Sequence, residues 1–182
     1  MPHFARTLRG SDRPVLRDGG GHPLCRECGG EVLRPRRTFC SQDCVDILLV
    51  RTSPSAARGR VFERDQGVCA SCGLDTESRK RALVRLRRKD PTDDTVRQAR
   101  ELAAGFERAV TIRAGRPWIA VGRSLWEADH LVPVVEGGGG CGLENLRTLC
   151  IPCHHGVTSE LARRRAAARR GAAAPLAGAG SG

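Results

Sequence analysis

The stretch that decides the fold is WEADHLVPVVEGGGGCGLENLRTLCIPCHH, from Trp126 to His155. It holds an Asp-His pair at Asp129 and His130, an asparagine at Asn145, and a cysteine pair followed at once by His154. Adjacent residues of a strand point to opposite faces, so Asp129 and His130 can address one point from two directions. A carboxylate and an imidazole suit a hard divalent cation, and a second imidazole suits proton abstraction from water. This set of side chains predicts cation-assisted hydrolysis of a phosphodiester.

Eight of the nine cysteines form pairs whose spacing suits zinc. The first set is Cys25, Cys28, Cys40 and Cys44; the second is Cys69, Cys72, Cys150 and Cys153, with 77 residues between its two pairs. Both sulfurs of a pair can bind one ion at about 2.3 Å, and a second pair completes a tetrahedron. We therefore predict two structural zinc ions, because a four-thiolate site leaves no open position for catalysis.

A redox pair is disfavoured because no βαβ context surrounds these motifs. The ninth cysteine, Cys141, is interpreted as a small buried thiol.

Composition limits the alternatives. Aromatic residues make up 3% of the 182 residues, so the core is poor and metals are an expected source of stability. The net charge of +11 suits a polyanionic partner, although a solvated basic surface explains it equally well. No membrane-spanning stretch and no secretory leader is evident, which favours a cytoplasmic protein (nucleoid-associated in a bacterium) with reduced thiols and no membrane partner.

The pattern of capping and breaking residues predicts the organisation of the chain. We expect a flexible basic lead at 1–21, a four-cysteine zinc finger at 22–52, a catalytic domain at 53–170 with a helical insertion at about 76–110, and a disordered Ala/Gly tail at 171–182. Helices are expected after Cys44, from Ser53 to near Gly67, over 77–89, 92–109 and 152–170, and strands over 117–121 and 125–135.

Together these motifs resemble the HNH (ββα-metal) nuclease family, in its four-cysteine variety. The similarity extends over roughly residues 24–170 and is closest to the HNH domain found at the C-terminus of annealing helicases. The segments that carry it are Phe39–Cys44, Val61–Glu63, Gly67–Cys69, Trp126–His130, the glycine run, and Leu143 to His154.

The resemblance implies a zinc-stabilised, treble-clef-like α+β fold and a metal-dependent DNA endonuclease that cuts one strand. By the family pattern, Asp129 and His154 bind a catalytic Mg²⁺ or Mn²⁺, His130 is the general base, and Asn145 orients His130 or assists the metal. Thr158 stands where some relatives carry a further ligand, so the cation would rest on two protein groups. His155 is expected to point away from it.

Several alternatives remain open at the level of sequence. The chain could be a non-catalytic zinc-stabilised module that binds nucleic acid, or a zinc module that binds protein. A protein partner that targets the nuclease is also compatible with the sequence. Gly137–Gly140 is expected to be a flexible turn that lets the backbone approach DNA, since the Gly-Lys-Ser/Thr of a phosphate loop is missing. The basic run Arg79–Lys89 and the arginines of the last helix are candidate phosphate contacts or solvated faces.

Overall fold

The computed structural model describes residues 15–172, in an α+β arrangement that confirms the predicted class. Its elements are α1 (Gln42–Thr52), α2 (Pro54–Asp65), α3 (Thr76–Leu86), α4 (Asp93–Ala103), β1 (Val110–Ile112), β2 (Ile119–Val121), β3 (Trp126–His130), β4 (Leu146–Cys150) and α5 (Ile151–Ala172). The strands form two antiparallel pairs, β1 with β2 and β3 with β4. Within residues 15–172, none of the helices combines the length and apolarity that a bilayer span requires.

The predicted lead and tail fall largely on residues 1–14 and 173–182, which lie outside the described residues. Residues 15–21, the rest of the expected lead, belong to the first cysteine unit. The amide of Leu24 donates to the carbonyl of Leu16 at 2.8 Å, and Arg17 bridges to Pro23. The described part of α5 includes Ala172, two residues beyond its expected end.

The first four-cysteine set forms a cluster just before and within α1. The sulfurs of Cys25, Cys28, Cys40 and Cys44 lie within 4.8 Å of one another. Cys28 and Cys44 are each 3.5 Å from Cys40, sulfur to sulfur, and zinc–sulfur bonds in a tetrahedron imply about 3.8 Å. Ser41 caps α1 by accepting from the amide of Cys44 at 3.2 Å, which fixes the fourth sulfur. This cluster could hold zinc, as predicted.

The second set forms a cluster at the centre of the chain. Cys69 and Cys72 follow α2, whereas Cys150 ends β4 and Cys153 lies in the first turn of α5; their sulfurs also lie within 4.8 Å of one another. Cys69 and Cys150 are buried in the largest apolar cluster. The amide of Ala70 donates to the carbonyl of Thr148 at 2.8 Å, which ties the first pair to β4. The predicted grouping of both sets is confirmed, and this cluster could also hold zinc.

One thiol in each cluster is prepared to ionise by backbone N–H groups. Burial alone would raise the pKa of Cys25, but hydrogen bonds from the backbone of Cys28, Cys40 and Glu27 outweigh it and hold the pKa at about 6. The same balance of burial and backbone bonds holds the pKa of Cys69 at about 6. Contacts with neighbouring sulfurs raise the pKa of Cys40 to about 12. A bound cation would favour the thiolate form of all four cysteines, so the donor chemistry fits zinc.

The insertion between the two halves of the second cluster packs into the largest apolar cluster, which it shares with Leu149 and Cys150. Leu83 of α3, Phe106, and Trp118 and Ile119 at the hairpin are almost completely buried together. The expected helix over 92–109 is wrong at its end, because α4 stops at Ala103. Gly105 has φ +81, a left-handed conformation that terminates the helix and turns Phe106 back into the core. The chain then enters β1, a strand that the sequence analysis did not predict.

The expected strand over 125–135 is also too long. β3 ends at His130, and the chain leaves the sheet through Leu131 to Pro133. The residue opposite His130 is Leu146, the first of β4, and one further backbone bond, from the amide of Leu131 to the carbonyl of Asn145 at 2.9 Å, follows before the loop. β4 itself was not predicted; its register places Asp129 opposite Arg147.

The loop between β3 and β4 is held by the side chain of Asn145. Its Oδ1 accepts from the amide of Val132 at 2.8 Å, and its Nδ2 donates to the carbonyls of Val132 and Gly138, each at 3.1 Å. A Cβ on Gly138 would lie 1.7 Å from the Val132 oxygen. At Gly138 the backbone therefore packs closely against Val132 and Asn145. The expected freely flexible turn is not found at this position of the glycine run.

Helix α2 packs against the β3–β4 sheet and fixes its outer face. Phe62 stacks on Trp126 with ring centres 5.8 Å apart, and the Arg58 guanidinium lies 3.9 Å from the Trp126 ring centre. Asp65 accepts from the amide of Thr148 at 3.0 Å. The Arg64 guanidinium and this amide hold the pKa of the Asp65 carboxyl below its usual range. The β3–β4 strand pair is thus attached to α2 by ring stacking, a cation–ring contact and a backbone hydrogen bond.

We predict that Cys72→Ser reduces bound zinc from two ions to about one per chain. A structural zinc contributes on the order of 10 kcal/mol to folding, so the variant should lose much of its thermal stability. Metal analysis by atomic emission and a thermal unfolding curve measure both effects. Cys141→Ser serves as the control and should retain two zinc ions; loss of zinc from it, or retention of two ions by Cys72→Ser, would contradict the assignment.

We predict that Gly138→Ala destabilises the protein by about 1–3 kcal/mol, because the added methyl forces Val132 and the Asn145 amide apart. Urea unfolding measures the change, and hydrogen exchange at the Val132 amide localises it. Gly139→Ala is the matched control, since a Cβ there meets only the Val134 side chain, at 3.2 Å. Equal effects from the two substitutions would show that the close approach at Gly138 is unimportant.

Candidate active site

The site is assembled where β3 meets the start of α5. Asp129 lies on β3, and His154 lies in the first turn of α5, directly after the second cysteine pair. Asp129 Oδ1 and His154 Nε2 are 3.8 Å apart, with side chains 13% and 36% exposed. This distance exceeds a hydrogen bond, so the two donors face each other across a gap. The structure brings together the two residues that the resemblance assigned to the catalytic metal.

Arg147 of β4 holds the other oxygen of Asp129. Its Nε and Nη2 donate to Asp129 Oδ2 at 3.0 and 2.9 Å, across the strand pair. The carboxylate is thereby fixed with Oδ1 turned towards His154. The sequence analysis did not identify Arg147, because the signal was the register of a strand that it had not assigned.

His130 ends β3 at the floor of an open cleft. The cleft has a volume of about 770 Å³ and lies between the loop after β3 and one side of α5; we call it the loop cleft. Asp129 also lines it, so the carboxylate and this imidazole border one space from successive positions of the strand. His130 further borders a smaller cavity of about 340 Å³ beside Ala128 and Leu146.

The loop cleft is apolar along its walls and has charged residues at its rim. Exposed aliphatic side chains come from the loop, namely Leu131, Val134 and Val135. At the rim, Arg163 is bonded to Glu160 at 2.6 Å and Arg164 to Glu136 at 3.1 Å. These two arginines of the last helix, which were candidate phosphate contacts, already have carboxylate partners.

A second cleft, of about 590 Å³, opens on the other side of His154, and we call it the insertion cleft. It is lined by Arg58, Arg108, Ala109, Gly122, Arg123, Ser124, Glu127, Ile151, His154, His155 and Thr158. His155 is exposed here beside His154. Thr158 donates its hydroxyl to the carbonyl of His154 at 2.9 Å, a helix-internal bond that agrees with its interpretation as a poor metal ligand.

Asn145 contacts the backbone that follows His130. Both hydrogens of its Nδ2 are used on loop carbonyls, and its own backbone carbonyl accepts from Leu131 at 2.9 Å. This arrangement fixes the exit of β3 and so positions His130 through the main chain. Direct orientation of the imidazole ring by Asn145 stays a prediction.

The donor set fits a hard divalent cation. A carboxylate oxygen and an imidazole nitrogen face each other, beside a cleft with room for water and a phosphate. The cysteine clusters are separate from this set, and each offers four sulfurs. Cys141 is half-buried against the Trp126 cluster, which agrees with its interpretation as a packed thiol.

Part of the basic run Arg79–Lys89 has contacts within the protein. Arg79 donates to the carbonyl of Leu102 at 2.9 Å and lies over the Phe106 ring at 5.3 Å. Lys80 donates to the carbonyl of Arg123 at 2.5 Å. The start of the run therefore stabilises the insertion, with α4 on one side and the end of the hairpin on the other.

Comparison with known proteins locates a family signature at this site. Residues 118–160 match the family model described as HNH endonuclease. That span contains Asp129, His130, Asn145 and His154, together with the second pair of the central cysteine cluster.

Curated proteins similar to this chain are described as DNA annealing helicase and endonuclease ZRANB3. The Mus musculus protein is 32% identical over 163 residues, covering 84% of this chain, and the Bos taurus protein is 32% identical over 178 residues, covering 91%. The chain spans only 15% and 16% of the length of those two proteins. A crystal structure of the human ZRANB3 HNH domain, 28% identical, aligns with a TM-score of 0.41 over 65% of this chain and 97% of that domain. The chain carries the HNH endonuclease signature in residues 118–160, which confirms the resemblance inferred from its motifs.

Proposed function

We propose that the protein is a metal-dependent endonuclease that hydrolyses DNA phosphodiester bonds at the site where β3 meets the start of α5. The observation that carries the proposal is the opposition of Asp129 Oδ1 and His154 Nε2 at 3.8 Å beside His130, within the HNH match. DNA as substrate is supported by the description of the ZRANB3 relatives as DNA annealing helicases and endonucleases. Their helicase activity has no counterpart in the proposal, since the chain spans 15% of the mouse protein.

His130 takes the proton from the attacking water. His130 lines the loop cleft next to Asp129, so a water molecule in the cleft could reach its imidazole. Imidazole exchanges protons readily near neutral pH, which suits a general base. Holding water and phosphate in one groove removes much of the entropic cost of bringing them together.

Asp129 and His154 hold the divalent cation, with Mg²⁺ or Mn²⁺ as the expected ions. Such a cation supplies positive charge for the phosphate and for the leaving oxygen. The chain fixes both ligands from behind. Arg147 clamps Asp129 from the neighbouring strand, and the cysteine cluster holds the first turn of α5 that presents His154. The two zinc sites would then be structural, and the third metal site catalytic.

We predict that His130→Ala lowers the rate of plasmid nicking at least about 100-fold, since it removes the general base. Supercoiled plasmid is incubated with purified protein and Mg²⁺ or Mn²⁺, and nicked product is measured against time. His22→Ala is the control, because His22 is exposed in the first cysteine unit and pairs only with Asp18. Undiminished cutting by His130→Ala would remove the assignment. Binding without cutting by the unmodified protein would instead favour a non-catalytic nucleic-acid-binding module.

We predict that Asp129→Asn raises the Mn²⁺ concentration for half-maximal cutting at least about tenfold, because one charged ligand is lost. Electron paramagnetic resonance of Mn²⁺ measures binding independently of cleavage, and the zinc content should stay at two ions per chain. Asp94→Asn on α4 is the control, since Asp94 is exposed and bonded to Arg97. An unchanged Mn²⁺ affinity in Asp129→Asn would contradict the assigned ligand set.

A further inference from the structure

Two arginines flank the open end of the β1–β2 hairpin. The strands pair Val110 with Val121, and the amide of Gly122 donates to the carbonyl of Ala109 at 2.7 Å. Arg108 lies just before Ala109, in the turn that leads into β1, and Arg123 directly follows Gly122. Both are exposed, and both line the insertion cleft that His154 also lines.

This pair of like charges is not neutralised. No ion pair joins Arg108 or Arg123 to a carboxylate within residues 15–172. Glu127 is the one acidic residue that lines the insertion cleft, and it is bonded to Arg58 at 2.8 Å. Two exposed cations that line one cleft without a carboxylate partner can bind an anion there.

The two clefts beside the catalytic groups therefore differ in charge. The arginines at the rim of the loop cleft are paired with Glu160 and Glu136, and its walls are aliphatic. The insertion cleft combines three arginines with one occupied glutamate. Of these two clefts, the insertion cleft is the one lined by arginines that have no carboxylate partner within residues 15–172.

We infer that Arg108 and Arg123 form a phosphate-binding subsite, which takes the DNA backbone next to the phosphate that is cut. Guanidinium groups suit this task because their planar N–H donors match the oxygens of a phosphate. Contacts of this kind set the position of the strand and carry no base sequence. The subsite rests on the proposed function for its place beside the reacting phosphate, and it assigns the insertion a role in substrate binding.

The hairpin supports the subsite from behind. Lys80 of α3 donates to the carbonyl of Arg123, and Trp118 and Ile119 anchor the hairpin in the core. The two guanidinium groups thus project from a packed element. Because the backbone beside them is packed, strand binding would have to order only the two side chains, which limits the entropic cost.

The test measures DNA binding in a His130→Ala background, so that no cleavage interferes. Fluorescence anisotropy with a labelled duplex of about 20 base pairs, and with one of its single strands, gives the Kd over a series of salt concentrations. Removing two phosphate contacts by Arg108→Ala with Arg123→Ala should flatten the slope of log K against log salt by about 1.8 for duplex, or about 1.4 for the single strand. The affinity at 0.15 M salt should fall on the order of 10- to 30-fold.

Two further proteins make the result specific. Arg97→Ala with Arg100→Ala removes the same charge from the exposed face of α4, outside both clefts, and should change the slope much less. Arg108→Lys with Arg123→Lys keeps the charge and should keep the slope. The inference is overturned if the cleft and α4 variants lose equal slope, if the cleft variant loses none, or if the His130→Ala parent binds neither DNA.

Cleavage separates this inference from the proposed function. A protein that binds DNA through Arg108 and Arg123 but never cuts it would refute the nuclease and retain the subsite. Normal nicking with an unchanged salt slope in the arginine variant would do the reverse.

Discussion

The central cysteine cluster is the constraint on which the rest of the structure depends. It joins Cys69 and Cys72 to Cys150 and Cys153 across 77 residues, and so closes the insertion at its base. The same sulfurs fix the end of β4 and the first turn of α5. The largest apolar cluster buries Cys69, Leu149 and Cys150 at these ends, but the chain has few aromatic residues to extend it. Zinc bound by the four sulfurs would add to that burial at the point where the site is built.

Hydrogen bonds and ion pairs outside that cluster fix the strands and the loop of the site. Arg147 turns one oxygen of Asp129 away from His154, and Asn145 gathers the loop that follows His130. Asp65 reaches the sheet from α2. Each of these side chains acts on backbone or on a charged neighbour, so the geometry at Asp129 and His154 is determined by several elements together. Hydrogen bonds to the residues that ligate a metal commonly tune the properties of the metal site.

Motif spacing predicted the cysteine sets, and the family resemblance carried by the motifs predicted the α+β class and the residues that lie together where β3 meets α5. Those features are local or chemically specific: a CxxC pair has few uses, and capping residues such as Ser53 mark helix starts directly. The strands were harder. β1 has three residues and follows a helical pattern that ends only because Gly105 adopts a positive φ. β4 overlaps the cysteine motif, and without its register the pairing of Arg147 with Asp129 has no signal in the sequence.

The two tryptophans divide the molecule in a way that bears on its folding. Trp118 lies in the largest apolar cluster, and Trp126 of β3 lies in the second, where Phe62 stacks on it and Arg58 contacts its ring. These two clusters thus contain one tryptophan each. Fluorescence from the two rings would show whether the insertion and the unit formed by α2, β3 and β4 unfold in one cooperative transition or in two.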